Sequence, residues 1–171
     1  MRVLGVDPGL QCTGYAVIER AKPGKNAWAV RSGNGLAVVE AGVIRTASSD
    51  TLALRIRKIY RGLRQVITAY EPQSLVVEEL FSHYRNPRTA IMMAHARGVI
   101  CLAAAESGIN VYGYAARRVK KAITGSGAAD KMQMQKVIKE LLGLKKEPSP
   151  PDVADALALA VTHVQAAARR I

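Results

Sequence analysis

The sequence predicts an α/β fold, a five-stranded mixed sheet flanked by helices, with residues 1–171 forming a single domain. Three observations carry this. Strand-like segments come first, helix and strand then alternate, and helices close the chain, which is the order of a mixed sheet covered on its faces. With 49% hydrophobic residues, the 171-residue chain can build one core without disulfides or structural metal. No apolar run approaches the ~20 residues needed to cross a bilayer, so the chain is expected to be soluble, with no membrane partner.

Residues 2–7 are a β-branched and apolar run closed by Pro8 and Gly9, and 13–19 resume strand character, so the two are expected to form a hairpin. The opening MRVLGVDPG is thus a strand, without a signal peptide's apolar core. Residues 20–40 turn to Lys, Gly, Asn and Ser, with turn signals at Pro23-Gly24 and Ser32-Gly33-Asn34-Gly35 on either side of 27–30. This is a long excursion, for which an added hairpin is one form, before a third strand at 41–46.

Ser49 or Asp50 is the expected cap of a helix in which Leu52, Ile56, Ile59, Leu63 and Val66 fall at helical spacing, with Arg57, Arg61 and Arg64 on another face. Pro72 helps end that helix, and 75–79 is a short buried strand. An Ala- and Met-rich helix at 87–106 precedes the fifth strand at 109–114, and helices at 115–123, 129–142 and 151–168 complete the chain. Cys12 and Cys101 are expected to be reduced packing residues of a cytosolic protein.

The chain carries 25 Lys plus Arg against 13 Asp plus Glu, a formal net charge of +12. That excess favours nucleic acid, an anionic membrane surface or an acidic partner, and only a site can choose among them. Four carboxylates, Asp7, Glu78, Asp152 and Asp155, each stand where a strand ends or a helix begins. An acidic cluster in a basic protein repels nucleic acid unless divalent cations neutralise it, and two Mg²⁺ ions across four carboxylates would do so.

Each carboxylate also has a plainer reading. Alternation puts Val3, Gly5 and Asp7 on one face of the first strand and Leu4 and Val6 on the other, with Gly5 leaving room beside Asp7; yet Asp-Pro-Gly is also a common turn. Glu78 and Glu79 end the apolar run Leu75-Val76-Val77 and point to opposite faces, so only one can share a site with Asp7, and spacing leaves open which. Asp152 and Asp155 lie three apart in the first turn of the last helix, after the expected cap Ser149 and two prolines. First-turn aspartates often do no more than complement the helix dipole. Here their face continues as Ala156, Leu159, Ala160 and His163, so the pair borders the buried side.

Five stretches together resemble the RuvC-family Holliday-junction resolvases of the RNase H-like superfamily. They are Gly5-Val6-Asp7-Pro8-Gly9 with Thr13-Gly14-Tyr15, Val77-Glu78-Glu79-Leu80-Phe81, Ala96-Arg97-Gly98, Tyr114-Ala115-Ala116-Arg117 with Val119-Lys120, and Asp152-Val153-Ala154-Asp155-Ala156-Leu157-Ala158. The resemblance covers almost the whole chain, departing at 20–40, which is longer and more basic than in the family. It implies an RNase H-like fold and a metal-dependent endonuclease that cuts two strands of like polarity in four-way junction DNA. Asp7, Glu78, Asp152 and Asp155 would be catalytic metal ligands, which selects Glu78 over Glu79. Two cations roughly 4 Å apart would bridge the scissile phosphate, with Asp7 between them and Mn²⁺ able to replace Mg²⁺. The resemblance further implies a homodimer, an accompanying branch-migration motor, and a bacterial cytoplasmic location, nucleoid-associated when bound to DNA.

For DNA contacts, Phe81 resembles a wedge that stacks on a base near the cut, with a core aromatic as the alternative; stacking a splayed base is worth ~1–3 kcal/mol. Tyr84, Arg85 and Arg88 lie nearby in sequence, and His83 could also touch DNA. Lys120 and Lys131 match family lysines that would contact phosphate, whereas Arg117, Arg118, Lys121, Lys136 and Lys139 add diffuse attraction. His95 and His163 have no metal-ligand spacing and are expected as packing or polar-contact residues. Thr124-Gly125-Ser126-Gly127 lacks the ending of a nucleotide-binding loop and reads as a turn before a helix. Two rivals remain: an ATPase of the actin and sugar-kinase type, which needs about twice this length, and a junction-binding module without chemistry, which has no use for four carboxylates at element ends.

Overall fold

The computed structural model describes residues 1–20, 35–79 and 87–168. The 27–30 stretch and the expected DNA contacts Phe81, His83, Tyr84 and Arg85 lie outside the described residues. Strand β1 (Arg2–Asp7) pairs antiparallel with β2 (Cys12–Arg20), which pairs antiparallel with β3 (Leu36–Arg45). On its other side β1 runs parallel to β4 (Ser74–Glu78), and β4 parallel to β5 (Asn110–Tyr114), giving the sheet order β3-β2-β1-β4-β5. The sheet is five-stranded and mixed, as the element order predicts.

Helices α1 (Leu52–Tyr70) and α2 (Pro87–Ala105) cover one face, and α3 (Ala116–Thr124), α4 (Lys131–Leu142) and α5 (Pro151–Ala168) the other. Alternation along β1 sorts the two cores. Leu4 and Val6 join Val17, Leu75 and Val77 under α1 and α2, while Val3 joins Ala16, Ile18 and Val76 around α5. Helix α5 is buried almost continuously from Val153 to Val164. Burying both sides of the sheet explains why residues 75–77 read as an unbroken apolar run.

Several boundaries differ from the sequence reading. Strand β3 starts at Leu36 instead of 41, because β2 offers ladder partners along its whole length, across an irregularity between Val17 and Ile18. The cap of α1 is Thr51, neither Ser49 nor Asp50: its side chain accepts from the Leu54 amide, and Leu52 is left exposed. Helix α4 begins at Lys131, not 129, because Asp130 and Gln133 form a reciprocal capping box. Ser149, the expected cap of α5, lies two residues before the helix, across a cis bond to Pro150. Of the three arginines read onto one face of α1, Arg64 donates to Ser107 Oγ at 2.6 Å. Gly125 caps the C-terminus of α3 at positive φ, so residues 124–127 are a helix-to-helix turn. Both cysteines are free thiols.

Candidate active site

Parallel pairing sets the first two carboxylates side by side. Val6 pairs with Val77, so Asp7 and Glu78 follow at the same carboxyl edge of neighbouring strands, where the chain leaves the sheet and a substrate can approach. Both belong to the face that α5 covers, as the parity of Val3 and Val76 requires. Glu79 takes the other parity, is exposed, and packs by its side chain against Gly113 of β5.

The other two carboxylates arrive on α5, which approaches the sheet unusually closely. A Cβ on Gly5 would overlap the carbonyl oxygen of Ala156 and lie 2.9 Å from the Ala160 nitrogen. One on Gly14, the cross-strand partner of Asp7, would overlap the carbonyl oxygen of Asp152. Gly5 therefore makes room for the helix backbone, beyond clearing space for Asp7. With two glycines under it, the first turn of α5 lies against β1 and β2, and Asp152 and Asp155 come down beside Asp7.

All four carboxylates are half-buried, and they interact. Burial first, then the charges of Asp155, Glu78 and Asp152, push the Asp7 carboxyl up to about 7, against the pull of Lys131. Burial also raises Glu78, with Asp155 adding and Lys120 and Lys131 opposing. Burial raises Asp155, with Asp152 adding to it and Lys131 and Lys120 opposing. Lys120 on α3 and Lys131 at the start of α4 thus stand within electrostatic reach of the cluster. Among the described residues no three His, Cys, Asp or Glu side chains stand close enough together to hold a metal ion as they are placed, so the four carboxylates are neighbours around an edge and not a preformed metal cage.

The donor set suits a hard divalent cation. Only carboxylate oxygens are on offer, they crowd one another, and partial burial makes their shared charge costly until a cation offsets it. The soft exception is Cys12, whose thiol is raised by burial, then by the charge of Asp152 and its hydrogen bond to it.

The structure also supplies supports that the spacing of residues did not signal. Thr13 donates to the Gly9 carbonyl at 2.7 Å and Thr46 to the Leu10 carbonyl at 2.6 Å, pinning the loop after Asp7. Arg97 Nε donates to the Glu78 carbonyl at 3.3 Å, tying α2 to the end of β4. Arg55 and Arg88 line a cavity that reaches Asp152. His163 is buried and meets Tyr114 Oη through Nδ1 at 3.1 Å, a polar contact as expected, whereas His95 lies exposed on α2 and is not a packing residue.

The family described as crossover junction endodeoxyribonuclease RuvC matches residues 3–163. A RuvC protein of Rhodopirellula baltica is 49% identical over 159 residues, covering 93% of this chain and 83% of the relative. The structure of T. thermophilus RuvC in complex with Holliday junction substrate superposes with a TM-score of 0.87 at 30% identity, covering 99% of this chain and 96% of that one. The yeast mitochondrial Holliday junction resolvase Ydc2, at 14% identity and a TM-score of 0.61, shares the fold; the alignment covers 94% of this chain and 76% of that one.

Proposed function

Because the chain belongs to the RuvC family of crossover junction endodeoxyribonucleases, with an RNase H-like fold, we propose that Asp7, Glu78, Asp152 and Asp155 form its nuclease active site. The protein is a metal-dependent endonuclease that resolves Holliday junctions by hydrolysing phosphodiesters in two strands of like polarity, in recombination and repair. The observation that carries the assignment is the gathering of four carboxylates at the carboxyl edge of β1 and β4, where burial first and the neighbouring carboxylates second lift Asp7 to about 7 in a chain of net charge +12.

In this reading the four carboxylates hold two Mg²⁺ ions per site, with Mn²⁺ able to substitute and Asp7 as the shared ligand. The chemistry such cations supply when bound is activation of water and stabilisation of charge on the leaving 3′ oxygen. The protein's own part is to fix the ligands on rigid elements and to draw in the backbone. Lys120 and Lys131, already coupled to the cluster, bind the phosphate next to the cut. Arg88 binds along the same strand, and Phe81, with Tyr84 and Arg85 near it in sequence, meets the splayed bases of the crossover.

The working unit is a homodimer of single-domain chains, whose two sites match the two-fold symmetry of the junction. Helix α2 suits such a contact: Ile91, His95, Gly98 and Leu102 are exposed on it at helical spacing, and Ile91 and Leu102 are 56% and 50% exposed. A branch-migration motor is the expected partner on the junction, in the bacterial cytoplasm and on the nucleoid. Among the described residues no helix is long and apolar enough to cross a membrane.

Cleavage of labelled four-way junction, duplex and RNA–DNA hybrid, with Mg²⁺, Mn²⁺ or chelator, tests the assignment. Paired cuts in the junction alone, dependent on the cation, are expected. Preferential cutting of the hybrid would move the protein to another branch of the same fold.

A further inference from the structure

The loop after Asp7, the first turns of α1 and α2, and Asp152 enclose an open cavity of about 520 Å³. Its walls combine cationic and apolar groups: Arg55 and Arg88 on one side, Met92 and Met93 on another. A cavity of this size and lining, opening beside a nuclease centre, suits one nucleotide unit.

Arg55 is the informative residue. The residue is half-buried, and its guanidinium is oriented by a single contact, Nε donating to Thr46 Oγ1 at 3.0 Å. Thr46 in turn spends its own hydroxyl proton on the Leu10 carbonyl, so both groups are locked to the loop. Among the described residues Arg55 makes no ion pair, and its two terminal nitrogens have no hydrogen-bond partner. The terminal nitrogens are therefore open to the cavity, and their planar fork matches a phosphate. The loop does not need Arg55 as a brace, because Thr13 and Thr46 already pin it.

We propose that this cavity is a subsite for one nucleotide of the cleaved strand, with Arg55 binding its phosphate and Met92 and Met93 forming the apolar wall. The inference rests on the nuclease reading and deepens it, by fixing where the strand runs beside Asp152. Arg88 shares the phosphate from the α2 side.

The test pairs protein and substrate changes. Arg55→Ala, Arg55→Lys and wild type are compared on junctions carrying a neutral methylphosphonate at each phosphate flanking the cut in turn. Binding is followed across a salt series, single-turnover cleavage with Mg²⁺, and melting temperature on the same preparations. Arg55→Ala is expected to slow cleavage at subsaturating enzyme roughly 10–100-fold, the loss of one charge-assisted phosphate contact. It should also reduce the logarithmic salt slope by about 0.9. At one flanking position the methylphosphonate should slow wild type by a similar factor and leave Arg55→Ala unaffected. Arg55→Lys keeps the charge and should recover part of the loss.

If the Arg55→Ala penalty persists at every methylphosphonate position, the inference is overturned and Arg55 is a structural brace. The same conclusion follows if Arg55→Ala melts early and no flanking methylphosphonate slows the wild type more than it slows Arg55→Ala. Failure of wild type itself to cut the unmodified junction would instead overturn the nuclease reading.

Discussion

Gly14 lies against the backbone of Asp152 so closely that any side chain on it would overlap the aspartate's carbonyl oxygen. Gly14 is also the cross-strand partner of Asp7. One missing side chain on β2 therefore sets the distance between a strand carboxylate and a helix carboxylate.

Gly14→Ala should push the first turn of α5 away from the sheet. Overpacking of this kind costs about 1–3 kcal/mol, and the displaced ligands should lower cleavage further than the fall in melting temperature alone accounts for. Thermal melting and junction cleavage on one preparation check this; an alanine variant with wild-type activity would mean that the contact does not set the site.

Replacing Asp7, Glu78, Asp152 or Asp155 by its amide should abolish cleavage while junction binding persists or tightens. Each change removes a metal ligand and also a charge that repels phosphate. Glu79→Gln is the control and should cut normally, because Glu79 points to the opposite face. A dead Glu79→Gln beside an active Glu78→Gln would reverse the assignment.

The metal-free protein should lose stability as pH rises from about 4 to 7. Folding raises the Asp7 carboxyl from 3.8 to about 7, so in that window the native state keeps a proton that the unfolded chain has released, and rising pH favours the unfolded chain. At about 1.4 kcal/mol per unit, Asp7 contributes a loss on the order of 2–4 kcal/mol, complete above pH 7. Asp7→Asn should flatten the profile, and Mg²⁺ should restore melting temperature at pH 8 in the wild type. Melting scans in chelator and in Mg²⁺ decide it; a wild-type profile as flat as that of Asp7→Asn would contradict the coupling.

Junction binding should weaken steeply with salt, with a slope near −0.9 per phosphate neutralised on duplex arms. Arg61, exposed on α1 in a groove with Arg45, Arg57 and Lys58, should add to this, so Arg61→Ala lowers the slope by a fraction. Fluorescence anisotropy at several ionic strengths measures it, and a flat response would remove the nucleic-acid reading.

Leu102→Glu should dissociate the proposed homodimer without unfolding the chain, because the side chain is 50% exposed on α2. Sedimentation should show a monomer, and paired nicking should give way to single nicks. An unchanged dimer would place the interface on another surface.

The sequence by itself determined the sheet and its helices, and it named the four carboxylates that the fold gathers at one edge. Period-two alternation put Asp7 with Val3 and opposite Leu4, the same rule separated Glu78 from Glu79, and prolines fixed the start of α5 with Asp152 in its first turn, although Asp155, expected in that turn too, falls just beyond it. These are local properties, set by backbone geometry over a few residues. Family resemblance, not spacing, selected Glu78 from its neighbour.

Tertiary structure decided what depends on partners distant in the chain. Strand β3 extends back to Leu36 because β2 supplies a ladder that takes in the apolar run Leu36-Ala37-Val38-Val39. Gly5 and Gly14 matter through the backbone of α5, about 140 residues away in sequence. Arg55 reads in sequence as one more surface cation of α1, and only its contact with Thr46, beside a cavity reaching Asp152, separates it from the rest. A glycine's role lies in what it fails to displace and an arginine's in the cavity it faces, and folding alone brings those neighbours together.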